Sequence, residues 1–172
     1  MTRTTHALLG AVAAAPLVFG LGLEPAPALS CVWWGGVGGG VPDWLDLRSH
    51  AGRLMRLKHR GASHGLPMAA ATTVAVLLFL RAVGPFAVPA FDPADASLLA
   101  AAFGLGVLSH LAGDACTIRG IQPWLPLNKH RWWLLPRPLR GRSDGPLDLV
   151  TRIAAAAALV LGVVAYAARS GW

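Results

Sequence analysis

The sequence predicts an all-α fold: a polytopic helical membrane protein with about five membrane helices in one bundle. Three observations carry that prediction. Hydrophobic residues make up 55% of the 172 residues and charged residues 13%, where a soluble domain carries about 25% charged residues. Apolar runs of membrane-crossing length recur along the chain, separated by short Pro-, Gly- or charge-rich connections. The cations gather in two loops instead of spreading over a surface. The length suits one domain, so residues 1–172 are expected to form a single membrane-embedded helical domain.

The first apolar segment, 6–23, would span roughly 27 Å at ~1.5 Å per residue, about one hydrocarbon core. Arg3, the run from Ala7 to Leu23 and "APALS" at 26–30 also look like a signal peptide with a small-residue cleavage site. "ALSC" at 28–31 loosely resembles a lipoprotein box, with the leucine one position late. The other reading is a retained first membrane helix, which the motifs below favour. "EPAPA" at 24–28 reads as a helix-breaking connection. Residues 29–41, "LSCVWWGGVGGGV", are apolar but short, and suggest a tilted or re-entrant helix whose glycines permit close packing. Segment 42–65 is aqueous or interfacial, since it carries Asp43, Asp46, Arg48, Arg53, Arg56, Lys58 and Arg60. An apolar helix over 66–83 follows, then a Pro-rich turn at 84–95 and a further helix over 96–113. A basic loop covers 114–149, with Trp124, Trp132 and Trp133 as interface anchors. The last helix is expected at about 150–168.

Of the 15 Lys and Arg residues, five lie in 48–60 and six in 119–142, while the turns at 24–28 and 84–95 contain none. With five spans, both basic loops and the N-terminus fall on one side, which the positive-inside rule makes cytoplasmic. Such loops suit membrane lipids with anionic headgroups. A pI near 11 in a soluble chain would raise nucleic acid as a partner. No helix-turn-helix or zinc-finger pattern is visible, so none is expected. Cys31 and Cys116 lie far apart without C-x-x-C spacing, which gives neither a disulfide framework nor a thiolate metal site.

That topology brings the ionisable residues to one end of the bundle. His6 opens the first helix, Asp43 and Asp46 follow the second, His59 and His64 precede the third, and His110 and Asp114 close the fourth. Ionisable residues at a membrane segment are costly and mark a functional site. His110 and Asp114, four apart, share a helix face. They suit one metal ion, two neighbouring ones, or a simple His–Asp hydrogen bond at the helix end, which the pair taken alone favours. Asp43 and Asp46 follow a proline, where carboxylates also serve as N-terminal caps. Asp43 is favoured as a ligand, with Asp46 as a second ligand or as a partner that orients one. His59 and His64 are five apart around a glycine, so a loop is needed to turn both inward. Otherwise they are solvated members of the basic loop. His50 and His130 show no comparable pattern.

These motifs resemble a known family. "THALLG" (5–10), "GGVPDWLD" (39–46), "HRGASH" (59–64) and "SHLAGDACTIRGIQPWLP" (109–126) look like the signatures of the YdjM family of bacterial inner-membrane proteins, described as candidate metal-dependent hydrolases. The resemblance runs over about residues 1–127. It implies His6, Asp43, Asp46, His59, Arg60, His64, His110 and Asp114 as family-like positions, and keeping His6 among them argues for a retained first helix. The order His6, Asp43, His64, His110, Asp114 is more distantly similar to zinc-dependent phospholipase C and related single-strand nucleases. The later His and His–x–x–x–Glu of those enzymes are missing here, so one or two metals are implied instead of three.

The expected function is therefore a membrane-bound metal-dependent hydrolase of the bacterial inner membrane, multi-pass, with site and basic loops facing the cytoplasm. His6, Asp43, His64, His110 and Asp114 would hold a divalent ion, zinc before manganese or iron. His59 or Asp46 would act as base or ligand orienter, and Arg60 would offset transition-state charge. A phosphoester, including one in a lipid headgroup, fits the basic surroundings; another ester or an amide is the other option. The competing reading is a non-catalytic membrane scaffold whose His/Asp cluster ties helix ends together. A transporter is disfavoured because the polar residues sit at one face, not at mid-bilayer.

Overall fold

A computed structural model describes residues 1–45, 61–87 and 91–170. Asp46, His59 and Arg60 lie outside these described residues, as do most of the first basic loop and the short stretch 88–90.

The helical content follows the apolar runs, with shifts at their ends. The first segment forms two helices, α1 (Arg3–Ala13) and α2 (Ala15–Gly20). They break at Ala14 because Pro16 has no N–H to continue the ladder. The expected breaker at 24–28 instead starts a helix, α3 (Pro25–Leu45). Pro25 and Pro27 sit in its first turn, where N–H groups have no intrahelical partner to lose. The expected short element at 29–41 is thus part of a 21-residue helix, about 31 Å long at ~1.5 Å per residue.

α4 (Leu66–Ala87) and α5 (Pro93–Ala115) follow, and α6 (Pro146–Ser170) closes the chain. α5 begins with a capping box: Ala94 N–H donates to Asp92 at 2.7 Å, and Asp92 N–H donates to Asp95 at 3.1 Å. That box and Pro93 set the start of α5 three residues before the apolar run. Among the described residues there is no strand, only two isolated bridges, Thr117 with Gly141 and Ile121 with Trp132.

α1, α3 and α5 form the centre, with α4 packed on α5 and α6 on α1. Half of the apolar stretch of α5 is buried within the protein (50%), against 11% of that of α4 and 6% of that of α6. These three are long and apolar enough to cross a membrane, and the faces of α4 and α6 left uncovered suit lipid. Glycines set the central spacing. A Cβ on Gly39 would run into the His6 carbonyl, and one on Gly10 would meet the Gly35 carbonyl. Small residues let helix backbones touch where no water-driven collapse assists packing. Phe103, Val107 and Leu111 of α5 fill the space beside them, with Ala69 of α4.

Because the long segments alternate in direction, one end of the bundle collects the start of α1, the end of α3, the start of α4, the end of α5 and the start of α6. The chain between α5 and α6 folds over this end. Leu66 N–H donates to the Pro123 carbonyl at 2.7 Å, and Leu134 N–H to Ala115 at 3.0 Å. Gly120 makes a turn with φ 63°, a left-handed conformation that glycine adopts without a Cβ penalty. Arg140 stacks over Trp133 at 4.4 Å from the ring centroid.

Candidate metal centre

Five of the eight residues singled out from the sequence meet at this end: His6 from α1, Asp43 from α3, His64 before α4, and His110 and Asp114 from α5. His6, His64, His110 and Asp114 are buried to 1% exposure or less. Ionisable groups so enclosed need partners or a metal.

His110 and Asp114 lie one turn apart on α5, as their spacing predicts, with Nε2 of His110 3.9 Å from Oδ2 of Asp114. A short 3₁₀ turn over Ala62–His64 aims His64 at the same place. Its Nε2 lies 3.5 Å from Asp114 Oδ2, 3.7 Å from Asp43 Oδ1 and 3.0 Å from His110 Nε2. His110 Nε2 is also 3.9 Å from Asp43 Oδ1. Four ligands held about 2.0–2.2 Å from a tetrahedral ion stand roughly 3.3–3.6 Å from one another. The triad His64, His110 and Asp114, at 3.0–3.9 Å, comes near that spacing, and Asp43 Oδ1 stands 3.7–3.9 Å from its two histidines.

The outer contacts fix which ring nitrogens face inward. His110 Nδ1 is 2.7 Å from the Gly39 carbonyl. A carbonyl only accepts, so Nδ1 carries the proton and neutral His110 presents the lone pair of Nε2 to the cluster. Ser63 Oγ lies 3.1 Å from His64 Nδ1 and fixes that ring. Such hydrogen bonds orient metal-binding histidines.

His6 tests whether these residues fit a cation. Its ring stacks on His110, centroids 3.7 Å apart. Among the described residues neither ring nitrogen has a hydrogen-bond partner, although Nε2 is 3.2 Å from Asp114 Oδ1. A buried polar group left so costs about 1–3 kcal/mol. His6, Asp43 and His110 form a second three-ligand group that shares His110 with the group of His64, His110 and Asp114. Asp114 Oδ1 also accepts from the Met1 amine at 2.7 Å, while Oδ2 faces His64 and His110. The donor set thus fits one ion or two neighbouring ones.

Sequence reasoning missed three contributors: the Gly39 carbonyl, Ser63 and the Met1 amine. Ser63 adjoins His64 and was open to notice. Nothing in the glycine run marks one carbonyl as the partner of a histidine 71 residues away. Gly113 is a fourth: a Cβ there would press on the His6 ring at 3.3 Å. Cys31 and Cys116 are free thiols, Cys31 in the core and Cys116 after α5.

The chain belongs to the YdjM inner membrane protein family, whose family model matches residues 1–170. No curated protein and no solved structure matches it significantly.

Proposed function

Taking that membership in an inner membrane protein family as the premise, we propose that the protein is a membrane-bound metal-dependent hydrolase acting on a phosphoester at the cytoplasmic membrane face. The observation that carries the reading is the buried convergence of His6, Asp43, His64, His110 and Asp114 with the mutual spacing of ion ligands. Imidazoles with hard carboxylates suit zinc first, then manganese or iron. When bound, a divalent ion supplies Lewis-acid polarisation and makes water a nucleophile near neutral pH. The chain's own residues set the rest. Gly39 and Ser63 hold His110 and His64 in the ligating orientation. Asp43 is the most exposed of the five, its side chain 11% accessible, so a substrate oxygen would approach beside it. His59 or Asp46 is proposed as the base, and Arg60 as the cation that offsets charge on the transferring group. A phosphoester matches the cationic surroundings, and a lipid headgroup matches the depth, with the whole chain acting as one domain.

A second reading rests on burial. With four of the five residues enclosed, the cluster is also suited to a structural ion that ties helix ends together, since structural sites are filled by protein ligands and catalytic ones keep a position open. Metal analysis of the purified protein, with His110→Ala and Asp114→Ala, tests the site. The wild type should carry stoichiometric metal and both variants should lose it. Unchanged metal content in both would sink the site. Turnover of phosphodiester and phospholipid substrates by the metal-loaded wild type identifies the hydrolase. Full metal with no turnover across those substrates favours the structural ion.

A further inference from the structure

The end of the bundle opposite the His/Asp cluster carries a second site. Where α2 gives way to α3, the last turns of α6 stand off from both, and a cavity of about 210 Å³ opens between them. Its walls are apolar: Val18, Phe19, Leu29, Val32, Val163 and Tyr166 among others. Leu29 and Val163 are 71% and 69% exposed, so the groove opens sideways onto the surface that faces hydrocarbon. Directly beyond it lies a polar cleft of about 270 Å³ that shares Val18, Phe19, Pro25 and Tyr166 and adds Glu24 and Arg169.

The two charges in that cleft do not neutralise each other. Arg169 donates to the Phe19 carbonyl at 3.2 Å, which places its guanidinium at the mouth of the groove. Glu24 is exposed and, among the described residues, has no ion-pair partner. Tyr166 donates to the Leu23 carbonyl at 2.8 Å and closes the floor between the apolar and polar parts. One continuous slot thus has an apolar length, then one cation and one carboxylate.

We propose that this slot binds a membrane phospholipid with a phosphoethanolamine headgroup, an acyl chain lying in the groove. Arg169 takes the phosphate through guanidinium hydrogen bonds, and Glu24 takes the primary ammonium. A purely anionic headgroup meets Glu24 as a like charge. A quaternary ammonium has no N–H to give the carboxylate. The site lies at the other end of the bundle from the metal centre, so it stands whether or not that centre is catalytic.

The full-length protein in detergent, titrated with phosphatidylethanolamine, phosphatidylglycerol and phosphatidylcholine and read by native mass spectrometry, tests the assignment. The ethanolamine lipid should be retained about fivefold better than either of the others, the scale of one exposed charge pair. Arg169→Gln and Glu24→Gln should each reduce its retention about fivefold, and Glu24→Gln should also raise retention of the glycerol lipid. Gly162 lines the groove, and a Cβ there meets nothing within 4 Å. Gly162→Phe should therefore fill the groove and displace all three lipids without lowering the melting temperature. Equal retention of the three lipids, preference for the glycerol lipid in the wild type, or indifference to Glu24→Gln would overturn the proposal. So would undiminished binding in a folded Gly162→Phe protein.

Discussion

Two single-methyl changes on α3, three residues apart, should have opposite outcomes. At Gly36 an added Cβ would lie 3.5 Å from the Ala7 carbonyl, an ordinary contact. At Gly39 it would collide with the His6 carbonyl and come within 3.2 Å of Gly10 Cα. Both neighbours are backbone, so no rotamer change relieves the clash. α1 and α3 would have to part by about 1 Å to restore van der Waals spacing. Overpacking of this kind costs about 1–3 kcal/mol, or roughly 2–12 °C in melting temperature for a chain of this size. The same shift carries His6 out of reach, because ligand distances tolerate only about ±0.2 Å. Gly36→Ala should leave metal content at wild-type levels and keep or raise the melting temperature, since alanine is the better helix former by up to about 1 kcal/mol. Gly39→Ala should melt lower and bind metal at least about tenfold more weakly, a difference of ~1.4 kcal/mol. Thermal unfolding in detergent and metal titration of the purified variants measure both. If Gly39→Ala matches Gly36→Ala in both assays, the close helix approach does not position His6 and the reasoning fails.

Ser63→Ala should keep the fold and the metal but weaken affinity by about 10–100-fold, because His64 loses the partner that orients it; a metal-competition titration reads this directly. Acidification should release the metal as protons compete for the imidazole nitrogens. A metal-competition titration across a pH series checks it: the affinity should fall as pH is lowered, and an affinity that stays constant over the whole acid range would mean that histidine is not a ligand.

The membrane class and the convergence of His and Asp residues were legible because both depend on patterns that survive without coordinates. Apolar runs of bilayer length fix where helices lie, and alternating direction then assigns every helix end to one side. His110 and Asp114 needed only the 3.6-residue repeat. What was not legible depends on contacts between segments. Proline at 25 and 27 breaks a helix in its interior but opens one in its first turn, and the local sequence does not say which applies. The glycines at 35–40 depress helix propensity, so the segment looked short. Packing against Gly10 and His6 makes it a full helix. Pro16 marks the break between α1 and α2, but a continuous apolar run around it hides that break. Asp46, His59 and Arg60 lie outside the described residues, so their roles rest on the motifs alone.

The wide spacing of the ligands along the chain bears on how the protein is made. His110 meets His64 across 46 residues and Gly39 across 71, and Asp114 meets the Met1 amine across 113. Synthesis delivers these segments in order, so no ligand set of three or more that includes His110 exists until α5 has been inserted and docked. A metal held by these residues would be a record of completed assembly. A chain halted after α4 holds His6, Asp43 and His64 but lacks the helix that supplies both His110 and Asp114. Metal retention would report that the α5 helix has reached its place, and a misinserted copy would be distinguishable by its failure to load.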